Sequence, residues 1–179
     1  MPRGLTVRCA LVLALAATPL SAQATDTTPV DTTRVDSASP GTPPAPSPQQ
    51  QLYLEGLRRV GRGIAQLKVA TGQSARAQAA ADTTTRRRAA ARLGGFCTSA
   101  RSFMTGGRAR MQPMAFEDTT RVKARRLVQR VDDIITYTKT CETQAATAPV
   151  QVAGEIVKRI ESYELALAEF RSAIGLANN

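Results

Sequence analysis

Apolar residues spaced alternately four and three apart recur in four separate stretches of this chain, and that spacing confines it to packed helices. The clearest run is Ile156, Ile160, Tyr163, Leu167, Phe170 and Ile174. On a helix of 3.6 residues per turn these positions fall on one stripe, which must be buried against other stripes of the same kind. Tyr53, Leu57, Val60, Ile64 and Leu67 form a second stripe, and Ala89, Leu93, Phe96, Ala100 and Phe103 a third. Leu127, Val131, Ile134, Thr138, Cys141 and Ala145 form the fourth. No stretch alternates with period two over a useful length. The expected class is therefore all-α: a four-helix bundle over residues 49–179, antiparallel or with one long crossover.

Local chemistry sets the expected helix limits. The first helix is predicted over 49–71, closed by Thr71-Gly72 as a glycine C-cap. Gly56 and Gly63 adjoin its stripe and admit a close neighbour. The second is predicted over 74–105, kinked near Asp82, a residue able to cap a fresh helix start, and closed by Gly106-Gly107. Residues 106–117 make the longest connection, with Met104, Met111 and Met114 around it. Asp118 opens the third helix. Thr147 is expected to cap the fourth, with Pro149 in its first turn, where a missing N–H costs little.

Ahead of the bundle the chain has a different character. Arg3 and Arg8 precede the apolar run Leu11 to Ala17; Pro19 breaks it, and Ala22-Gln23-Ala24 places small residues where a signal peptidase reads. Residues 1–24 read as a cleaved secretory signal peptide, since the apolar core is far short of the roughly 20 residues a spanning helix needs. No transmembrane segment is expected in the mature chain. Residues 25–48 hold Thr, Asp, Ser, Ala and clustered prolines, including a short repeat, Asp26-Thr27-Thr28-Pro29-Val30 then Asp31-Thr32-Thr33-Arg34-Val35. With almost nothing apolar to bury, this segment is expected to be a disordered Thr/Pro-rich linker. The expected location is periplasmic or secreted.

Cysteine usage agrees with export. Cys9 falls in the signal peptide, leaving Cys97 and Cys141, whose default reading in an oxidising compartment is a structural disulfide. The pair constrains topology. In a simple up-down-up-down bundle the second and third helices would hold the two cysteines on the order of 30 Å apart at about 1.5 Å per residue, beyond the ~7 Å a disulfide spans. Either residues 106–117 cross the bundle so that these helices run parallel, or the thiols do not pair within one chain. The disulfide, and with it the crossover, is the expectation.

The chain contains no histidine. That removes Glu-x-x-His di-iron sites, His-ligated haem, His-containing zinc sites and Ser-His or Cys-His nucleophile pairs. Asp132 and Asp133 are adjacent and diverge by about 100° on a helix. Glu161 and Glu164 share a side, but Lys158 and Arg159 lie within a turn, as on a solvated face. No glycine-rich phosphate loop precedes a helix in the required context. No catalytic set, metal or cofactor is expected.

Charge is what remains. Between Arg76 and Arg130 stand thirteen basic residues against Asp82, Glu117 and Asp118. Arg dominates, and its guanidinium suits bidentate contact with phosphate, sulfate or carboxylate. Arg86, Arg87, Arg88 and Arg92, and Arg121, Lys123, Arg125, Arg126 and Arg130, are the candidate anion-binding residues, expected to form one basic surface if the second and third helices are neighbours. Phe96 and Phe103 fall on the core stripe, away from such a surface, which argues against base-specific readout of nucleic acid. The expected function is a non-enzymatic exported bundle engaging an anionic polymer, membrane head groups or an acidic protein surface. The alternative is a periplasmic chaperone or stress adaptor. Met104, Met111 and Met114 favour it, since Met adapts to varied apolar partners; the chain lacks the Leu-Thr-x-x-Gln repeats of one such chaperone group. Seven-residue repeats also permit self-association.

The segment Tyr163–Ile174, with Tyr163, Ala166, Leu167, Phe170, Ala173 and Ile174, resembles half of a tetratricopeptide repeat. Thirty-four positions earlier Gln129 and Asp132 stand where Tyr and Ala are needed, so no repeat is implied.

Overall fold

The computed structural model of the chain describes residues 45–176. Four helices account for most of them: α1 (Pro48–Gln78), α2 (Thr83–Arg108), α3 (Asp118–Gln144) and α4 (Pro149–Ala173), with a 3-10 turn at Pro113–Ala115 between α2 and α3. There is no strand among the described residues. No helix among them is long and apolar enough to cross a membrane. The expected signal peptide, and the expected linker up to residue 44, lie outside the described residues.

α1 opens on a capping box. Ser47 Oγ accepts from the Gln50 amide, and the Gln50 side chain accepts from the Ser47 amide at 2.9 Å. Pro48 follows at the first helical position, so one orphan N–H of the helix start is simply absent. The expected stop at Thr71-Gly72 does not occur. Ala70, Thr71 and Ser74 are all buried, and that burial outweighs the ~1 kcal/mol a helical glycine costs relative to alanine. The break falls instead at residues 79–82. There Asp82 caps α2 as expected, its carboxylate accepting from the amides of Thr84 (3.0 Å) and Thr85 (2.8 Å). At α4 the expected cap is not used: Ala148 holds the capping position, and the Thr147 hydroxyl donates back to the Gln144 carbonyl.

Each neighbouring pair of helices runs antiparallel. Gly56 meets Gly107 while Gly63 meets Ala100 across α1 and α2. Arg101 bonds Glu142 while Arg108 bonds Asp132 across α2 and α3. Arg126 pairs with Glu169 and Arg159 with Asp133 across α3 and α4. Tyr53 packs on Phe170 and Lys68 pairs with Glu164 across α1 and α4. In every case one number rises as the other falls.

Cys97 and Cys141 stand at disulfide distance, with sulfurs 2.02 Å and Cα atoms 6.2 Å apart. The pairing and the antiparallel course therefore coexist, which corrects the expectation of a crossover with parallel second and third helices. The missing element is stagger. With α2 ending at Arg108 and α3 starting at Asp118, an unstaggered hairpin would set Cys97 opposite residue 129. It meets Cys141 instead, twelve residues further on, a slide of roughly 18 Å at about 1.5 Å per residue. The first turns of α3 thus run past the end of α2, and residues 109–117 fill the space beside them.

That connection is part of the core. Met111 and Phe116 are buried, and Phe116 packs edge-on against Tyr53 and Phe170 with ring centroids 5.0 and 5.1 Å away. Tyr53 donates its buried hydroxyl to the Ala124 carbonyl (2.9 Å), tying α1 to α3. Arg121 Nε donates to the Phe116 carbonyl at 2.7 Å. The chain enters α3 through Asp118 at φ 44°, a left-handed conformation that Asp tolerates better than most residues.

α2 is turned by about one residue from its expected stripe. Its buried face is Ala90, Leu93, Cys97, Ala100, Met104 and Gly107, which leaves Ala89, Phe96 and Phe103 half-buried. Small residues let α1 approach closely, and the sulfur pair turns Cys97 toward α3.

Candidate anion-binding surface

The structure splits the basic residues into two sets. Arg86 (half-buried) and Arg87, Arg88 and Arg92 (exposed) occupy the first turns of α2. Arg121 and Lys123 (half-buried) and Arg125, Arg126 and Arg130 (exposed) occupy the first half of α3. The two helices are neighbours, but they diverge in direction from the Cys97–Cys141 contact. Arg88 lies nine residues back along α2 and Arg125 sixteen residues back along α3, toward opposite ends of the bundle. At about 1.5 Å per residue they are separated by roughly 37 Å. The expected single surface does not form, because antiparallel helices carry their N-terminal halves to opposite ends.

The two sets also differ in how far they are already engaged. In the α3 set Arg126 is paired with Glu169 at 2.9 Å and Arg121 is bonded to the Phe116 carbonyl. In the α2 set, no residue has a carboxylate at ion-pair distance among the described residues. Arg88 and Arg92, one turn apart, line a groove of about 460 Å3 between α1 and α2 together with Arg76. Ala89, Leu93 and Phe96 contribute its apolar side. Three like charges on one groove, none of them in an ion pair, repel one another and favour an anion that bridges them.

Arg76 is absent from the residues singled out in the sequence. Ending the first helix at residue 71 placed Arg76 on the second. Once Ala70, Thr71 and Ser74 are recognised as one continuing buried face, Arg76 moves onto α1 and comes to stand across from Arg88 and Arg92.

Several other polar groups are engaged in structure. Asp132 and Asp133 point to different partners, Arg108 and Arg159, as their adjacency dictates. Arg159 also bonds Glu155 (2.6 Å) and lies 4.0 Å over the Tyr137 ring. Hydrogen bonds from Arg159, then from Lys158, hold the Glu155 carboxyl below its ordinary pKa. Burial pushes the Tyr163 hydroxyl up to about 12, Arg171 opposing only in part. Among the described residues no cluster of three His, Cys, Asp or Glu is arranged to hold a metal ion. Met104 and Met111 are fully buried and only Met114 is exposed, so the three methionines do not form an adaptable surface.

Comparisons of the chain with protein-family models, with curated proteins and with solved structures find no match.

Proposed function

We propose that this protein is an exported, non-enzymatic helical bundle that binds an anionic partner through the arginines of the α1–α2 groove. One observation carries the reading: Arg76, Arg88 and Arg92, drawn from two helices, line one groove and have no carboxylate partner among the described residues. Guanidinium groups are weakly hydrated and bind phosphate, sulfate or carboxylate oxygens in pairs. Export rests on the sequence of residues 1–24 and agrees with the paired cysteines. With Met104 and Met111 buried, no methionine surface supports a client-holding chaperone.

The test compares fluorescence anisotropy of a labelled sulfated oligosaccharide and a labelled oligothymidylate, with flotation of vesicles rich in anionic phospholipid. The variant replaces Arg76, Arg88 and Arg92 with Gln. Its affinity for whichever probe the parent binds should fall at least tenfold. For single-stranded nucleic acid, loss of three phosphate contacts lowers the slope of log K against log salt by about 2. Unchanged affinity in the variant, or no binding by the parent to any of the three probes, refutes the reading.

A further inference from the structure

The opposite flank of α1 carries a larger groove, about 840 Å3, between its C-terminal half and the first half of α4. Gly72, Ala75, Ala153, Gly154, Val157 and Ile160 give it small, apolar walls. At Gly72 and Gly154 an added Cβ would meet nothing within 4 Å. These glycines are therefore unlike Gly56 and Gly107, where a neighbouring backbone demands the missing side chain. Each weakens its helix relative to alanine and leaves open space.

The groove also holds two buried hydrogen-bond donors with nothing to donate to. Ser74 is 1 % exposed, yet its hydroxyl has no partner, and neither has the side-chain nitrogen of Gln78, one turn further along the same wall. A helical serine ordinarily bonds the carbonyl of the preceding turn, as Ser162 does with Lys158 at 3.1 Å. Ser74 does not. The rim, by contrast, is electrically balanced: Lys68 and Lys158 stand against Glu161 and Glu164, with Lys68 paired to Glu164. An anion gains little from such a rim, while a neutral carbonyl oxygen supplies what the two donors lack.

We infer that the α1–α4 groove binds an acyl chain bearing an uncharged ester or amide head. The carbonyl oxygen accepts from Ser74 Oγ and Gln78 Nε2 once these side chains turn into the groove, and the hydrocarbon lies along Ala75, Ala153, Val157 and Ile160. The volume falls in the range of roughly 300–1,000 Å3 common to small-molecule sites. A helix from a second copy fits less well, because its carbonyls are already used within the helix and cannot satisfy donors at a groove floor. The site is independent of the arginine groove, which lies on the other side of α1.

The experiment is calorimetric titration of the purified chain with 1-monolauroylglycerol below its aggregation threshold, beside lauric acid at pH 8, with light scattering on the same samples. The parent should bind the ester one to one, and laurate at least fivefold more weakly. Ser74→Ala should lower ester affinity five- to tenfold while leaving the melting temperature equal or higher, since it removes an unsatisfied buried hydroxyl. Gly154→Leu should abolish binding without lowering the melting temperature, because its side chain enters open space. The Arg76, Arg88 and Arg92 variant should bind the ester as the parent does, which separates failure of this inference from failure of the anionic reading.

Absence of saturable ester binding overturns the inference, as does parental affinity in Gly154→Leu. Laurate binding as tightly as the ester would assign the groove to an anion. A dimer that Gly154→Leu dissociates would assign it to a second copy. Displacement of the ester by a synthetic peptide of residues 25–44 would assign it to the chain's own preceding segment.

Discussion

Gly56 and Gly107 face each other so closely that neither tolerates a β-carbon. A Cβ on either residue would stand 2.5 Å from the carbonyl oxygen of the other, and backbone cannot swing aside as a side chain can. Gly56→Ala or Gly107→Ala should lower stability by about 1–3 kcal/mol, the usual range for overpacking, read as a shift of the urea midpoint. Gly61→Ala and Gly95→Ala, where an added Cβ meets nothing within 4 Å, should raise it by up to ~1 kcal/mol. Destabilisation by all four alike would contradict the α1–α2 contact. In sequence Gly56 was legible as a contact residue because it adjoins an apolar stripe. Gly107 reads in sequence as a helix stop, because glycine in a glycine pair signals a terminus and a close approach equally well. Acid titration probes other single residues. The Thr85 hydroxyl, then the amides of Thr85 and Thr84, hold Asp82 below its ordinary pKa of 3.8. Hydrogen bonds from Arg101, then Thr98, do the same for Glu142. With lowered folded pKa values, protons bind the unfolded chain first. The contribution of these groups is whole above the ordinary carboxylate range and is lost as pH falls through the folded values. The urea midpoint should hold from pH 7 to 5 and drop below about pH 4, less steeply in Asp82→Asn, whose side chain still caps but does not titrate. A midpoint that rises on acidification would contradict these assignments.

At the scale of the elements, the stripes of α3 and α4 were legible almost residue for residue. Every position of the expected α3 stripe is buried, and in α4 only Leu167 and Ile174 are partly covered. Helices with one dominant apolar face show their orientation in the sequence. α2 does not, because its contacts rely on Ala, Gly and Cys, which carry little hydropathy signal, while Phe96 and Phe103 beside them are only half-buried. The stagger between α2 and α3 was equally hidden, since period analysis fixes which face of a helix packs and says nothing of how far it slides. The cysteine pair is what fixes the slide. It closes a separation of 44 residues, for which chain-entropy reasoning gives about 4 kcal/mol of stabilisation. Reduction, or the double variant Cys97→Ala/Cys141→Ala, should lower the unfolding free energy by roughly that amount while the far-ultraviolet helical signal persists. Equal stability with and without reductant would show that the sulfurs do not bond in solution. Phe116→Ala tests the other end of the stagger. Removing a buried ring from the Tyr53–Phe170 contact should cost about 3–5 kcal/mol, whereas a connection that merely spanned the gap would lose almost nothing.

At the scale of the whole molecule, helix direction decides what a charge pattern means. Counting charges along the chain gathers Arg76 to Arg130 into one basic window; folding draws α2 and α3 together and yet sends their arginine-rich halves to opposite ends. The two sets are separated by roughly 37 Å along the bundle, several times the ~10 Å screening length at 0.1 M salt. They should therefore act on a short anion as independent sites of unequal quality. A tetranucleotide of thymidylate is too short to reach both ends. Its binding should fall when Arg88 and Arg92 are replaced by Gln and stay within twofold of the parent when Arg125 and Arg130 are replaced. An oligothymidylate of twenty residues can span both sets, so either pair of substitutions should weaken it, the two effects multiplying when combined. The length at which the α3 substitutions begin to matter then measures the distance between the sites. Equal sensitivity of the tetranucleotide to both pairs would mean that the α1–α2 groove has no advantage, and that the protein attracts anions by its total charge alone.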